Sequence, residues 1–368
     1  MTETVAAFER HLLDNLDDTA AWSAYADYLT EQGEPRGDFM RVQLALEDET
    51  LPKAERRALQ EEEEALRVEH LDEWVGASFA AEHFDAGGHP KDGRHRFTFC
   101  RGFVWDAAEF NIEELWPAQE LVAWRWLYSL DLGYCELPLG QTPLSRNLRS
   151  LQVGGDEMSS GANYFDDPAE FVASATRLER LYLACGRVNT SVLFQLPLAD
   201  MRELHIHCAM HYDTDTLAQN PAFAGLHTVA FHPHAFCRYE NADVYEGTFL
   251  CAGHMRHIVN SPHLKRLEHL QLNCLSAGDE GIDLLVNSGL IHRLKSLDLR
   301  HGCVSDEGAF TLYKALDGTP HALEVLKLGD NALTGDGVAA LRRLKLTLDA
   351  PDQHGPGDDH YLTQGDFE

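Results

Sequence analysis

Histidine is the residue type whose spacing in this chain comes closest to a chemical site. Two nearby segments, ELHIHCAMHYD and HTVAFHPHAFC, contain the candidate metal ligands His205, His207 and His232. If the segments form adjacent strands, the backbones of His207 and His232 lie about 4.8 Å apart. Imidazole is a good zinc ligand, but a zinc site needs further ligands and supporting hydrogen bonds. We therefore favour an exposed histidine-rich patch, in a chain that has 20 histidines, over a metal site.

Motifs of other chemistries are missing from the sequence. It contains no nucleotide-binding loop, no GxSxG elbow, no HExxH segment and no CxxC pair. The eight cysteines stand singly along the chain, a pattern that does not predict a disulfide framework. We therefore expect a reduced, non-enzymatic protein without a cofactor.

The charge of the chain restricts its partners. With 30 basic and 60 acidic residues, the formal net charge is −30. Nucleic acids and anionic membranes need a basic surface, so both are disfavoured, whereas a basic protein partner would be attracted. The first residues contain acidic side chains where a signal peptide would be apolar, and no apolar run is long enough to span a bilayer. These features predict a cytoplasmic location and leave the oligomeric state open.

A repeated pattern, L-x-x-L-x-L, must supply the elements that position the histidines. It occurs eight times, at 127–132, 148–153, 178–183, 201–206, 226–231, 267–272, 294–299 and 323–328. Its first, fourth and sixth positions are apolar, so each copy can form a strand with those side chains turned toward a core. One copy cannot bury this face alone, which predicts a stack of repeats.

Three copies continue into LSAGDEGIDLL, VSDEGAFTLYKAL and LTGDGVAALRRL, which resemble ribonuclease-inhibitor-like leucine-rich repeats. The resemblance implies an α/β solenoid with parallel strands on a concave face and helices outside. The third, fifth and seventh positions would then face the concave side. We predict that a protein partner binds there through Arg180, Tyr182, His205, His207, His232, His269, Asp298 and Arg300. An inner polar ladder is expected at Cys135 and Asn331.

The first seventy-odd residues predict a small all-α domain. Helices are expected over Thr2–Asn15, after Asp17 and Asp18, over Phe39–Leu46 and over Pro52–Trp74. Gly33 followed by Pro35 should end the second helix, because glycine accepts a left-handed terminus and proline cannot continue the hydrogen-bond ladder.

This turn carries a second resemblance. The matching residues are Tyr25, Ala26, Asp27, Leu29, Gly33, Pro35, Arg36, Gly37, Phe39 and Gln43. They resemble the signature of the repeat-companion domain that precedes leucine-rich repeats in many proteins of large-genome bacteria, a family without an assigned activity. We predict a structural role for Gly33, Pro35, Gly37 and an ion pair between Asp27 and Arg36 that locks the turn.

Four segments follow from these patterns. They are a helical domain (1–76), a linker and cap (77–126), a solenoid of about eight units (127–348) and an acidic flexible tail (349–368). In the cap, RFTFC and GFVWD predict strands and AAEFNIEELW a helix, and an extra loop or degenerate unit is expected at 237–249.

Three functions are compatible with the sequence. The first is a non-enzymatic module that binds a protein on the concave face. The second is an acidic inhibitor or immunity protein against a basic toxin or nuclease. The third is a metal-binding protein or metal-dependent enzyme that uses the histidine patch.

Overall fold

A computed structural model describes residues 2–110, 112–115, 121–132, 142–154, 168–184, 188–208, 211–233 and 250–355. The chain has two compact units, Met1–Gly133 with Gln141–Ser150, and Tyr134–Gly140 with Leu151–Glu368. The fold is mixed α/β, and its eleven described strands follow one another in sequence order in a mostly parallel sheet. The predicted fold class is therefore confirmed. Within the described ranges, no helix has the length and apolar character needed to cross a bilayer.

Helices form the first part of the first unit. They are α1 (Glu3–Asp14), α2 (Thr19–Glu31), α3 (Pro35–Leu46), α4 (Lys53–Val75) and α5 (Ala77–His83). Side chains of Thr2 and Asp18 cap α1 and α2 by accepting hydrogen bonds from the backbone amides of Val5 and Ala21. The four predicted helices are confirmed, with α3 starting four residues earlier than expected.

The turn between α2 and α3 explains why the sequence has a glycine at position 33. This glycine has a φ of 73°, a left-handed conformation that suits the residue after a helix end. Pro35 does not terminate α2; it is the first residue of α3, where its missing amide costs no hydrogen bond. A side chain at Gly37 would overlap the backbone nitrogen of Thr30, so glycine is needed for the close approach of α2 and α3.

The predicted ion pair between Asp27 and Arg36 is wrong. The Asp27 side chain is 70% exposed, and its carboxylate lies 3.9 Å from Arg41. Arg36 is only 6% exposed, and its Nε lies 3.3 Å from the Glu34 carboxylate. Its guanidinium carbon is 5.1 Å from the centre of the Phe103 ring. Asp27 follows buried Tyr25 and Ala26 and faces solvent, so the helix turns it away from Arg36.

The remainder of the first unit is a small sheet with short helices. It comprises β1 (Arg96–Cys100), β2 (Phe103–Ala108), α6 (Ile112–Leu115), a 3-10 helix (Val122–Trp126), β3 (Ser129–Leu132) and a second 3-10 helix (Pro143–Ser145). β1 and β2 are antiparallel, as the alternation in the sequence predicts, and β3 pairs with β2 in parallel. α6 is shorter than predicted because Ala107 and Ala108 belong to β2.

One core joins the helices of the first unit to these strands. Trp22 of α2 packs against Trp126 with ring centres 5.0 Å apart, and Phe103 of β2 lies in the same cluster. The division expected at residue 76 therefore falls inside a single compact unit.

Repeated strand and helix units form the second unit. Its strands are β4 (Ser150–Val153), β5 (Arg180–Ala184), β6 (Glu203–Cys208), β7 (Thr228–Pro233), β8 (His269–Leu272), β9 (Ser296–Asp298), β10 (Val325–Lys327) and β11 (Thr347–Asp349). Its helices are α7 (Ala169–Ser174), α8 (Thr190–Leu193), α9 (Thr214–Gln219), α10 (Ala252–Asn260), α11 (Gly278–Ser288), α12 (Asp306–Leu316) and α13 (Gly335–Leu341), with 3-10 helices at Pro221–Gly225 and Leu290–His292. Ser150, the first residue of β4, belongs to the first unit.

Parallel pairing from β5 to β10 follows the predicted register. The fourth positions of successive copies, from Leu181 and Leu204 to Leu326, are paired from strand to strand and buried. Each of the eight predicted copies contains a described strand. The three predicted outer helices are also present, as α11, α12 and α13.

Acidic side chains link successive repeats where the outer helices begin. Asp279 accepts hydrogen bonds from the backbone amides of Ser305 (2.9 Å) and Gly308 (3.0 Å) in the next repeat. Asp306 accepts one from the amide of Thr334 (2.9 Å) one repeat later. A side chain at Gly308 or Gly337 would collide with these carboxylates. In VSDEG and LTGDG, Ser305 and Thr334 cap the helices, and the glycine of each segment leaves space for the aspartate of the preceding repeat.

The end of the array contains a ninth strand that the pattern does not show. β11 pairs with β10, but Lys345 and Ala350 occupy the first and sixth positions of its copy. The prediction of a flexible tail from residue 349 onward does not fit residues 349–355, which are held by hydrogen bonds to the repeats. The backbone amides of Asp330 and His354 donate to the carbonyls of Pro351 (3.1 Å) and Asn331 (2.8 Å), respectively.

Asn331 forms the predicted inner polar contact. Its side-chain amide donates to the carbonyls of Leu299 (2.8 Å) and Gly329 (3.2 Å), and its oxygen accepts from the amide of Val304 (2.9 Å). It is fully buried. Cys135, the loop predicted at 237–249 and the tail from 356 lie outside the described residues.

Candidate functional site: the strand face of β5 to β10

The side chains at the third, fifth and seventh positions of β5 to β10 form what we call the strand face. In β8, exposure alternates along the strand, with Leu270 and Leu272 buried and His269 and Gln271 half-buried. The register aligns the fifth positions as one row: Tyr182, His205, Ala230, Gln271, Asp298 and Lys327. The order that the sequence predicts for this row is confirmed.

Aromatic rings cluster on β5, β6 and β7. The Tyr182 hydroxyl lies 3.3 Å from Nδ1 of His207, and its ring centre lies 6.0 Å from that of His205. His207 pairs with His232 across the strands, with ring centres 5.2 Å apart. The predicted neighbourhood of these four side chains is therefore present, while Arg180 lies at the start of β5 beside Glu203.

His301 extends the cluster, although the sequence register did not assign it. Its ring stacks on His232 at 6.1 Å with an angle of 13°, and its Nδ1 lies 3.0 Å from the Asp330 carboxylate. His301 follows the seventh position of its copy and has a φ of 57°, which breaks the alternation on which the prediction depended. In the sequence, the HGC segment that follows LKSLDLR is the feature that could have indicated the position of His301.

Metal binding by the histidine patch finds no support in this geometry. In the part of the chain that the structure describes, no three His, Cys, Asp or Glu side chains are arranged so that they could hold a metal ion. Burial lowers the pKa of His205, and the nearby Glu203 carboxylate acts in the opposite direction. His205 is therefore neutral at neutral pH and suits packing against a partner.

The other half of the strand face is ionic. Asp298 lies 3.1 Å from Nε of Arg300 and 3.7 Å from Nζ of Lys327. Its side chain is 10% exposed, against 26% for Arg300 and 41% for Lys327. Asp298, predicted as a contact residue, is therefore better placed to hold two cations than to touch a partner. Lys327 stands in the predicted row, but the sequence did not distinguish it as a contact residue.

A shallow depression of about 620 Å³ lies over β6 to β10. Its lining includes His205, His269, Asp298, Lys327 and Arg202. His269 is fixed there by a 2.8 Å hydrogen bond between its Nδ1 and the Ser296 hydroxyl. The lining of the depression contains three histidines and four ionic residues from several strands, so it can receive a polar chain segment.

Comparisons with known proteins agree with the repeat pattern. A family model described as leucine-rich repeat matches residues 292–312 and 320–341, which include β9, the first part of α12, β10 and α13. These two segments are therefore similar to leucine-rich repeats. A crystal structure of a Bacteroides fragilis protein is 15% identical, with 64% of this chain and 69% of that chain covered and a TM-score of 0.46, too low to support an argument. No curated protein matches the chain. The resemblance to the repeat-companion domain stays a prediction.

Proposed function

We propose that this chain is a non-enzymatic interaction module whose strand face binds a protein partner. One observation carries the proposal: Tyr182, His205, His207 and His232 form a partly exposed cluster of rings, on strands whose other side is buried. Leucine-rich repeats generally mediate protein–protein interactions, which supports the same class of function.

Interface energetics favour this region of the strand face. A few large side chains, above all Trp, Tyr and Arg, dominate most protein interfaces. The strand face offers Tyr182 with His205 beside it, and Arg300 just after β9, three strands from β6, all held by contacts within the second unit. Such side chains lose little further conformational freedom when a partner binds, which helps affinity.

The test is a pull-down from an extract of the native cells with matched variants of the chain. We expect the double variant Tyr182→Ala with His205→Ala to retain about tenfold less of a specific partner than the unaltered chain. Arg256→Ala on α10 is the control, because Arg256 is exposed and pairs with Glu280 of α11, away from the strands. Equal capture by both variants, with unchanged circular dichroism, would contradict the proposal.

A second candidate is an acidic inhibitor or immunity protein for a basic toxin or nuclease. The net charge of −30 favours it, since opposite charge accelerates association. Its test is the salt dependence of the association rate with an isolated partner. A rate that does not fall between about 0.05 M and about 0.5 M salt would eliminate this candidate.

The metal hypothesis has its own measurement. Elemental analysis of the chain purified without an affinity tag should find zinc, copper or nickel near one equivalent if His205, His207 and His232 form a resident site. Less than about a tenth of an equivalent would leave that function without its metal.

A further inference from the structure

Charge is distributed very differently on the strand face and on the chain as a whole. At the third, fifth and seventh positions of β5 to β10, the charged residues are three cations, Arg180, Arg300 and Lys327, and two carboxylates, Glu203 and Asp298. Four histidines, His205, His207, His232 and His269, share these positions. The strand face therefore has a formal charge of +1 in a chain of −30.

Burial increases this difference. The Asp298 carboxylate is 10% exposed and lies against Arg300 and Lys327, both of which are more exposed than the aspartate between them. An approaching molecule therefore meets the cations before it meets the carboxylate. The depression over β6 to β10 is itself lined by two cationic residues, Arg202 and Lys327, and two acidic ones, Glu203 and Asp298.

Acidic residues of the second unit stand at the starts of its outer helices, and Glu179, Glu268 and Glu324 occupy the second positions of three strand copies. The first turn of α11 contains Asp279 and Glu280, and that of α12 contains Asp306 and Glu307. Carboxylates at these positions are favoured by the partial positive charge of a helix N-terminus. This preference accounts for acidic helices and does not require an acidic strand face.

From this distribution we infer that the strand face binds an acidic segment of the protein partner, with Asp or Glu side chains directed to Arg180, Arg300 and Lys327. The inference rests on the proposed function and gives the partner a chemistry. Arginine binds carboxylates through paired hydrogen bonds, and a carboxylate near Arg300 would share it with Asp298. At about 0.15 M salt, charges beyond roughly 8 Å are largely screened, so carboxylates farther than that from the strand face contribute little to binding there.

Histidine makes this binding dependent on pH. His205 is faced by Glu203 and Tyr182, and His207 by Tyr182 and His232. His232 is also faced by His301, which Asp330 holds from the other side, and His269 by Ser296 and Glu268. A bound carboxylate favours the protonated imidazole, and protonation adds positive charge to the strand face. Affinity for an acidic segment should therefore rise on acidification, with His205 contributing least because burial lowers its pKa.

The experiment uses two labelled peptides of equal length and equal aromatic content, one rich in Glu and one rich in Lys, with fluorescence anisotropy on the full chain. We expect saturable binding of the acidic peptide, and about tenfold weaker binding after Arg180→Glu with Lys327→Glu. Glu203→Gln should tighten binding about twofold to threefold. Lys314→Glu on α12 is the matched control, because Lys314 is exposed on a helix.

Three results would overturn the inference. They are tighter binding of the basic peptide, no saturation by the acidic peptide up to about 1 mM, and an equal loss with Lys314→Glu. The two proposals can fail separately. If a native partner depends on Tyr182 and His205 but not on Arg180 and Lys327, the strand face remains the interface and only the acidic segment is rejected.

Discussion

Arginine plays different parts in the two compact units. Arg36 of the first unit is 6% exposed, lies over the Phe103 ring and belongs to the turn that the sequence marks most strongly. Arg300 of the second unit is 26% exposed and is held by a buried aspartate on the strand face. A buried arginine in an aromatic core stabilises the fold, whereas a partly exposed and oriented one can meet a partner. A distinctive motif is therefore not by itself a binding site.

The largest expected effect comes from Gly37→Ala in the first unit. The added methyl group would overlap the Thr30 backbone, which cannot move without separating α2 from α3. We expect a loss of about 3 kcal/mol in the free energy of unfolding, measured by chemical denaturation. Gly335→Ala is the control, since no atom lies near the methyl group there. Equal stability of both variants would show that the α2–α3 contact is looser than described.

Arg36→Ala should lower the free energy of unfolding by about 2 kcal/mol, because it removes the packing of a buried side chain and its interaction with the Phe103 ring. Arg41→Ala, which removes a 55% exposed side chain, should change stability by less than about 0.5 kcal/mol. Thermal unfolding of both variants measures the difference. If Arg36→Ala kept full stability but abolished partner binding, the assignment of Arg36 as a structural residue would have to be reversed.

In the second unit, Asp306→Ala should lower the free energy of unfolding by about 1 kcal/mol. It removes the acceptor for the amide and hydroxyl of Thr334, which join the repeats of α12 and α13. Denaturant unfolding of the chain detects the loss, with Asp283→Ala on α11 as an acidic control. An unchanged midpoint would mean that the link between repeats contributes little.

The smallest stability effect is expected on the strand face itself. Arg180→Ala removes an exposed side chain and should change the free energy of unfolding by less than about 0.5 kcal/mol. A binding residue should behave in this way, in contrast to Arg36. Unfolding and peptide binding measured on the same preparation provide the comparison, and a large loss of stability would place Arg180 among the structural residues.

Acid should weaken both units through buried histidines. Burial lowers the pKa of His83 in the first unit and of His205 in the second. Below the ordinary value of 6.5, the unfolded chain takes up protons that these folded imidazoles resist. Above about pH 7.5 these histidines are neutral in both the folded and the unfolded chain and do not change the free energy of unfolding. That free energy should fall as the pH drops through about 6.5. His83→Gln and His205→Gln should each reduce this slope in denaturation series, and a slope unchanged in both would exclude the effect.

Much of the fold is readable in the sequence because its signals are local. Thr2, Asp18 and Gly33 mark helix ends through their own backbone hydrogen bonds and dihedral angles. The L-x-x-L-x-L copies predict β3 to β10 and align His207 with His232, because copies of one pattern stack in register. The ninth strand has no such signal, since Lys345 and Ala350 replace the apolar positions of the pattern.

By itself, then, the sequence determined the α/β repeat array, the helices before it and which side chains share the strand face. Only the tertiary structure decided the partner of Arg36, the burial of Asp298 beneath its cations and the position of His301 beside His232. Periodicity specifies the face on which a side chain lies, because that depends on the geometry of one element. Pairing and burial depend on packing between residues that are distant in the chain, and no local pattern records that packing.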